Sequence, residues 1–556
     1  MHEGRTGRRM SAKHWVVIAL LGAAGWAFTT PVRENYFEIS KQLEILNALF
    51  RELNIYYVDE IQPGALMETG IESMVSSLDP YTVYYPESRV EDLRFMTTGE
   101  YGGVGATIYE LNGALTVTDM LPGYPAERGG LRIGDVITFV DGRDIRDLEE
   151  QLALDLLDGA TGSTLELRVE RFGQTEPLDF TFTREKIEVP AVPYSGLVAD
   201  SVGYIAFSRF TRGGAAEVRL AYKQLKDSLD IQALVLDLRG NGGGLLHEAV
   251  ALVNLFIDKD LPVVDTHGKD PSRDQHYKTM GPAFDGDIPL AVLIDGQSAS
   301  ASEIVAGTLQ DYDRAVIVGQ QSFGKGLVQQ TKDLAYGTRL KVTVSKYYTP
   351  SGRCIQRLDY GAGEDHGQAI PDSLIKTFTT RNGRTVRDGQ GIDPDVEVRL
   401  KEMSYVHLGL LDAGILFDFG TQWAATHDTL VLDGWELSEA DWEAFVAFAE
   451  ERPLAYRSET QDRFEALKEQ AREERLFDAD SSAFVALERL VKPDVRRDLE
   501  RFKDELVESL EHELVSRMHP MEVHYRWSQR EDAELNQALE LLQTGAYEAV
   551  LAGPEK

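Results

Sequence analysis

The sequence predicts a multidomain α/β protein: a mixed core with a β-rich insertion and helical segments on either side. Three observations predict it. Strands alternate with helical stretches over 189–400. Short alternating apolar runs broken by glycines fill 95–186, the mark of strands and turns. Apolar stripes at helical spacing lie near both ends of the chain. At 556 residues the chain is too long for one core, and about 150 residues per domain gives three or four. The expected order is a signal or anchor segment at 1–30, a helical region at 31–94, the β-rich unit at 95–186, the α/β core at 187–400 and a helical accessory segment at 401–556.

Composition excludes some functions. The net charge is 57 − 92 = −35, opposite to the basic surface that nucleic acid requires. Such a surface is strongly solvated, and a saline habitat would be one reason for it. The single cysteine, Cys354, rules out an intramolecular disulfide and a cysteine-based zinc site. It lies in a strand-like pattern and reads as a packed thiol. The eleven histidines include no HExxH, and no metal or cofactor is expected.

The first element is a basic stretch, Arg5, Arg8, Arg9 and Lys13, before the apolar run 15–28. A spanning helix takes about 20 residues, whereas a signal-peptide core takes about 7–15. Export is therefore expected. A cleaved signal peptide and an anchor formed by residues 14–30 both fit. Tyr36, Ile39, Leu43, Leu46, Phe50 and Leu53 then recur at steps of 3 and 4, a helix stripe that suits either its own domain or a homodimer seam. "SLDPYTVYYP" breaks this pattern with two prolines.

In the β-rich unit a helix is expected near 147–157. In the core, "SVGYIAFSRF" and "IQALVLDLRG" read as strands, with helices in "AAEVRLAYKQLKDSL" and "LLHEAVALVNLFI". After 401, Leu499, Phe502, Leu506, Leu510 and Leu514 form another stripe, without a chemical motif.

Three loops of the core carry candidate chemistry. "DLRGNGGG" follows a buried strand; it is neither a Walker A loop nor GxGxxG, and its glycines let backbone N–H groups approach a bound oxygen. "DGQSASASEIVAGTLQDY" opens a helix with Ser298, Ser300 and Ser302. Ser300 and Glu303 match a capping box, and Ser300 also suits a nucleophile at a helix start. In "GQQSFGKGLVQQ", Lys325 lies between two glycines that can turn its amine inward. A serine needs a base. No GxSxG elbow or histidine motif supplies one. A lysine serves if burial keeps it neutral. Gln329 can orient that amine without adding charge. Ala301 N–H and a glycine N–H of 242–244, Gly243 among them, are the candidate oxyanion donors.

"SASASEIVAGTLQD", "SFGKGLVQ", "YYTPSGRCIQ" and "GIDPDVEV" together resemble the carboxyl-terminal processing peptidases, the tail-specific proteases, over about 35–400. The resemblance implies a crotonase-like protease core, Ser300 as nucleophile, Lys325 as general base and Gln329 as its helper, with Asp311 as structural support. It further implies that "YGGVGATI" is the carboxylate-binding loop of a PDZ domain. There Gly102, Gly103, Val104 and Gly105 would hold a substrate's C-terminal carboxylate, and the tail would add as a strand beside 106–108. "GGVG" departs from the usual G-L-G-F, which bears on pocket preference. The expected protein is an exported endopeptidase of the bacterial periplasm or cell envelope. It would act on accessible C-terminal tails, with an adaptor or regulator as a further partner. A silent PDZ-bearing binding protein on the same core, and an acyl-transfer enzyme acting on esters or thioesters, are the alternatives.

Overall fold

The computed structural model describes residues 36–361, 367–476 and 481–553; the expected signal or anchor segment lies outside them. The described chain forms two units, one ending at Ser77 and one beginning at Leu78. The first holds a helix over 36–56 and a second over Pro63–Ser76, with Pro63 at its first position, where its missing N–H costs nothing. Tyr36, Ile39, Leu43 and Leu46 of the stripe are exposed. No helix among the described residues is long and apolar enough to cross a membrane.

The helix Pro63–Ser76 ends just before "SLDPYTVYYP", and helix resumes at Val90–Thr98. After "LDP" the chain extends, and Val83–Tyr85 becomes a strand of the core. Proline disfavours helix at the residue before it, so no helix continues through Asp79–Pro80.

A six-stranded sheet forms the heart of the second unit. Its strands run in the order Tyr194–Ala199, Val202–Ala206, Ala233–Asp237, Leu290–Ile294, Val316–Gly319 and Val396–Glu397. The first pair is antiparallel and the rest are parallel. Ala233–Asp237 and Leu290–Ile294 are buried at every position, as parallel strands covered on both faces must be. One face packs on Gly214–Leu229, Leu246–Val253 and Ala301–Asp311 through Val218, Leu252, Ile304 and Leu309. Leu535, Ala538, Leu541 and Tyr547 cover Val235, Leu293 and Val318 on the other. The last two helices, Ala533–Thr544 and Ala546–Leu551, thus complete the core instead of staying with the helical segment. The stripe Leu499, Leu506, Leu510 and Leu514 is fully buried there, against Trp442 and Phe445.

A second, antiparallel sheet positions the site. Arg339–Tyr348 is its long central strand, flanked by Val83–Tyr85, Leu327–Asp333 and Pro262–Gly268. The β-rich insertion is a sheet in the order Ala106–Leu111, Ala114–Met120, Val136–Val140, Thr164–Glu170 and Leu178–Thr183. In Thr164–Glu170, Leu165, Leu167 and Val169 point inward while the residues between them face water. The expected helix is present at Glu150–Leu157. Cys354 is half-buried and lies outside any strand, contrary to the expected pattern.

Candidate active site

The three loops leave the C-terminal ends of parallel strands: 238–244 after Asp237, 295–300 after Ile294 and 320–326 after Gly319. Open α/β sheets build sites at these ends. A cleft of about 470 Å³ is lined by Gly242, Gly243, Gly244, Ser300, Ala301, Lys325 and Gln329.

Ser300 has φ 57 and ψ −108. A non-glycine residue in such a region carries about 1–3 kcal/mol of strain, and such residues cluster at active sites. Ser300 and Glu303 are disposed as a capping box. Of its two bonds only the one from Ser300 N–H to Glu303 Oε2, 2.7 Å, has full hydrogen-bond geometry; the Ser300 hydroxyl makes no cap bond. The two neighbouring serines are occupied. Ser298 Oγ donates to Leu238 O and Ser302 Oγ to Asn241 O, both at 2.8 Å.

Glu303 does more than cap. It is fully buried, and its Oε2 also accepts Lys325 N–H at 2.9 Å. Oε1 takes Ser322 Oγ at 2.6 Å and Gly324 N–H at 2.7 Å. Burial raises this carboxyl above the ordinary carboxylate value, while the four donors pull it down. On the other side the buried Tyr347 hydroxyl lies 2.6 Å from Lys325 O and 3.0 Å from Ser300 O. One carboxylate and one phenol therefore tie together the backbones of Ser300 and Lys325, 25 residues apart.

The Lys325 amine sits 4.2 Å from the centre of the Tyr81 ring, over its face. Burial, and then the nearby Lys341 charge, push it down to about 8; Glu303 and Asp79 act the other way. No hydrogen bond joins Lys325 Nζ to Ser300 or Gln329 among the described residues. The expected Lys325–Gln329 contact is thus not made. Gln329 Nε2 donates to Thr343 Oγ1 at 3.2 Å instead, while the amine rests on the aromatic face.

Of the two oxyanion candidates, Ala301 is the first residue of its helix, where no intrahelical acceptor exists for its N–H. Gly243 N–H is already committed to Asn241 Oδ1 at 2.9 Å, which corrects the expectation that it is free. Gly243 matters sterically instead. At φ +97, a Cβ there would lie 2.6 Å from Ala299 O and 2.9 Å from both Ala301 N and Ser300 Cβ. The Gly244 amide has no partner among the described residues.

The glycine loop is braced from the end of the chain. Arg239 pairs with Asp237, Asp532 and Glu534, each at 2.6 Å. Asp311 is buried with Arg353 at 2.9 Å and also accepts Thr349 Oγ1 and Ser351 N–H. It closes the helix that Ala301 opens, at the end away from Ser300.

In the β-rich insertion, Gly102 and Gly103 belong to a strand paired with Glu185–Glu188. The expected glycine turn narrows to Val104 and Gly105, and Gly105 has φ +79. Ala106–Leu111 is an edge strand with one side unpaired.

Glu303 as a clamp, Tyr347, Tyr81 and Arg239 with its acidic partners escaped sequence reasoning. Tyr347 and Tyr81 lie inside stretches already singled out, "YYTPSGRCIQ" and "LDPYT", but neither carried a chemical signal of its own.

Comparison with known proteins matches residues 201–365 to Peptidase family S41. Residues 116–171 match a PDZ domain, and 406–542 match the C-terminal helical domain of a probable PDZ-protease. The chain is 36% identical over 333 residues to a "Carboxy-terminal-processing protease" of Bartonella bacilliformis, covering 59% of this chain and 75% of that protein. It is 31% identical over 390 residues to a "Probable CtpA-like serine protease" of Staphylococcus haemolyticus and 34% identical over 394 residues to one of Staphylococcus aureus. Each covers 67% of this chain and 75% of the relative. The chain belongs to peptidase family S41 and is a carboxy-terminal-processing serine protease with a PDZ domain.

Proposed function

We propose that the enzyme cleaves peptide bonds with a Ser300–Lys325 dyad. Neutral Lys325 takes the Ser300 hydroxyl proton as Oγ attacks the scissile carbonyl, then returns it to the leaving amine. The tetrahedral oxyanion is held by Ala301 N–H and by an amide of the glycine loop, Gly244 where Gly243 stays with Asn241. Gln329 orients the amine once it leaves the Tyr81 face, and Asp311 supports the fold. The observation that carries this reading is the shared clamp: Glu303 and Tyr347 bind the backbones of both Ser300 and Lys325, which line one cleft, and burial makes the Lys325 amine hold its proton less tightly. At pH 7 an amine of pKa about 8 is neutral in about a tenth of molecules, against about one in a few thousand for a free lysine.

The PDZ domain selects the tail. A substrate C-terminus adds along the open edge of Ala106–Leu111, and its carboxylate meets the Val104–Gly105 turn. The chain is exported on residues 1–30 to the bacterial cell envelope. The exposed 36–56 stripe pairs with a second copy, which light scattering of chains with and without Leu43→Glu tests. Digestion of an unstructured reporter with an apolar tail tests the dyad: Ser300→Ala and Lys325→Ala should each abolish cleavage, and cleavage by either variant at the wild-type rate refutes it.

A further inference from the structure

The turn 79–82 reaches the site from outside the three loops. Asp79 Oδ1 accepts the N–H groups of Tyr81 and Thr82, each at 2.8 Å, and Oδ2 accepts Thr82 Oγ1 at 3.0 Å. Thr343 Oγ1 donates to Asp79 Oδ1 at 3.1 Å, and Thr343 N–H to Thr82 Oγ1 at 3.2 Å. Val83 pairs with Lys341 in the same sheet. The turn is therefore fixed on the strand that carries Thr343 and Tyr347. Tyr360 meets the Tyr81 ring edge-on at 6.1 Å. One turn thus addresses two site residues, Lys325 through the Tyr81 ring and Gln329 through Thr343.

We propose that Tyr81 is a positioning residue of the proteolytic site: its ring face seats the protonated Lys325 amine at rest, and the Asp79 turn holds the ring there. An aromatic face attracts an ammonium through its quadrupole and gives a neutral amine no such hold. The seat favours the proton-bearing form, and loss of the proton frees the amine for Gln329 and Ser300. The other charged groups acting on the amine are Lys341, which disfavours its proton, and Glu303 and Asp79, which favour it. The proposal rests on the reading of Lys325 as the base.

The test replaces Tyr81 in the full chain with phenylalanine and, by site-specific incorporation, with pentafluorophenylalanine. The second ring keeps the shape and removes the attractive face. Two midpoints are read for each protein: acylation of Lys325 by an amine-reactive reagent against pH, followed by mass spectrometry, and the acidic limb of kcat/KM. With phenylalanine both midpoints stay in place. With the fluorinated ring both fall by about half a unit to one unit. Unmoved midpoints, or a rise, overturn the proposal. A labelling midpoint that falls while the activity limb stays put supports the seat and overturns Lys325 as the base.

Discussion

Replacing Glu303 with glutamine changes one oxygen to NH2 and removes the charge. Three backbone N–H groups and the Ser322 hydroxyl converge on this carboxylate. An NH2 in the Oε2 position would face the N–H groups of both Ser300 and Lys325. The amide will therefore turn its NH2 toward Ser322 and Gly324, where the hydroxyl can accept but the Gly324 N–H loses its acceptor. An orphaned buried donor costs about 1–3 kcal/mol, and each of the two bonds kept loses about 1 kcal/mol of charge assistance. Relief of the buried carboxylate offsets part of that sum. The expected net loss is about 2–4 kcal/mol, read by urea denaturation. Activity falls further than stability explains, because the bonds that weaken are those to the Ser300 and Lys325 backbones. Assays at a temperature where the variant is more than nine-tenths folded should show kcat reduced with KM little changed. A variant within about 0.5 kcal/mol of wild type and with unaltered kcat would refute the clamp.

Two other substitutions probe the supports. Asp311→Asn leaves Arg353 buried without its countercharge and should cost about 3–5 kcal/mol in denaturant unfolding; a loss under about 1 kcal/mol would contradict the buried pair. Gly243→Ala pushes a methyl group against Ser300 and Ala301 and should lower turnover at least about a hundredfold, comparable to losing an oxyanion donor. Unchanged turnover would show that the glycine loop does not set the Ser300–Ala301 backbone.

The short runs around Ser300, Lys325 and Gln329 marked them as candidates, and the fold brings all three to one cleft, though Gln329 meets Thr343 there and not Lys325. What the sequence hid depends on partners distant along the chain. Glu303 looks like a cap because its cap partner is three residues away, whereas its partners Ser322, Gly324 and Lys325 lie 19 to 22 residues on. The Asp79–Thr343 bond spans 264 residues, so nothing local in "LDPYT" points to a lysine. Nothing in "DLRGNGGG" sets Asn241 apart, and its capture of the Gly243 amide follows from a turn geometry that composition does not specify. The helix Ala533–Thr544 shows an apolar face in sequence, but the pattern cannot say that the face lies on Leu293 and Val318 instead of on its neighbours.

The central claim is that Lys325 deprotonates Ser300. The most direct measurement is the pH dependence of kcat/KM for a tailed, unstructured reporter, in wild type beside Ser300→Ala and Lys325→Ala. The expected profile rises about tenfold per unit at low pH and levels off above about 8, the position to which burial and Lys341 bring the amine. Both variants should be silent at every pH. A profile flat between about pH 6 and 9, or cleavage by Lys325→Ala along the wild-type curve, would contradict it.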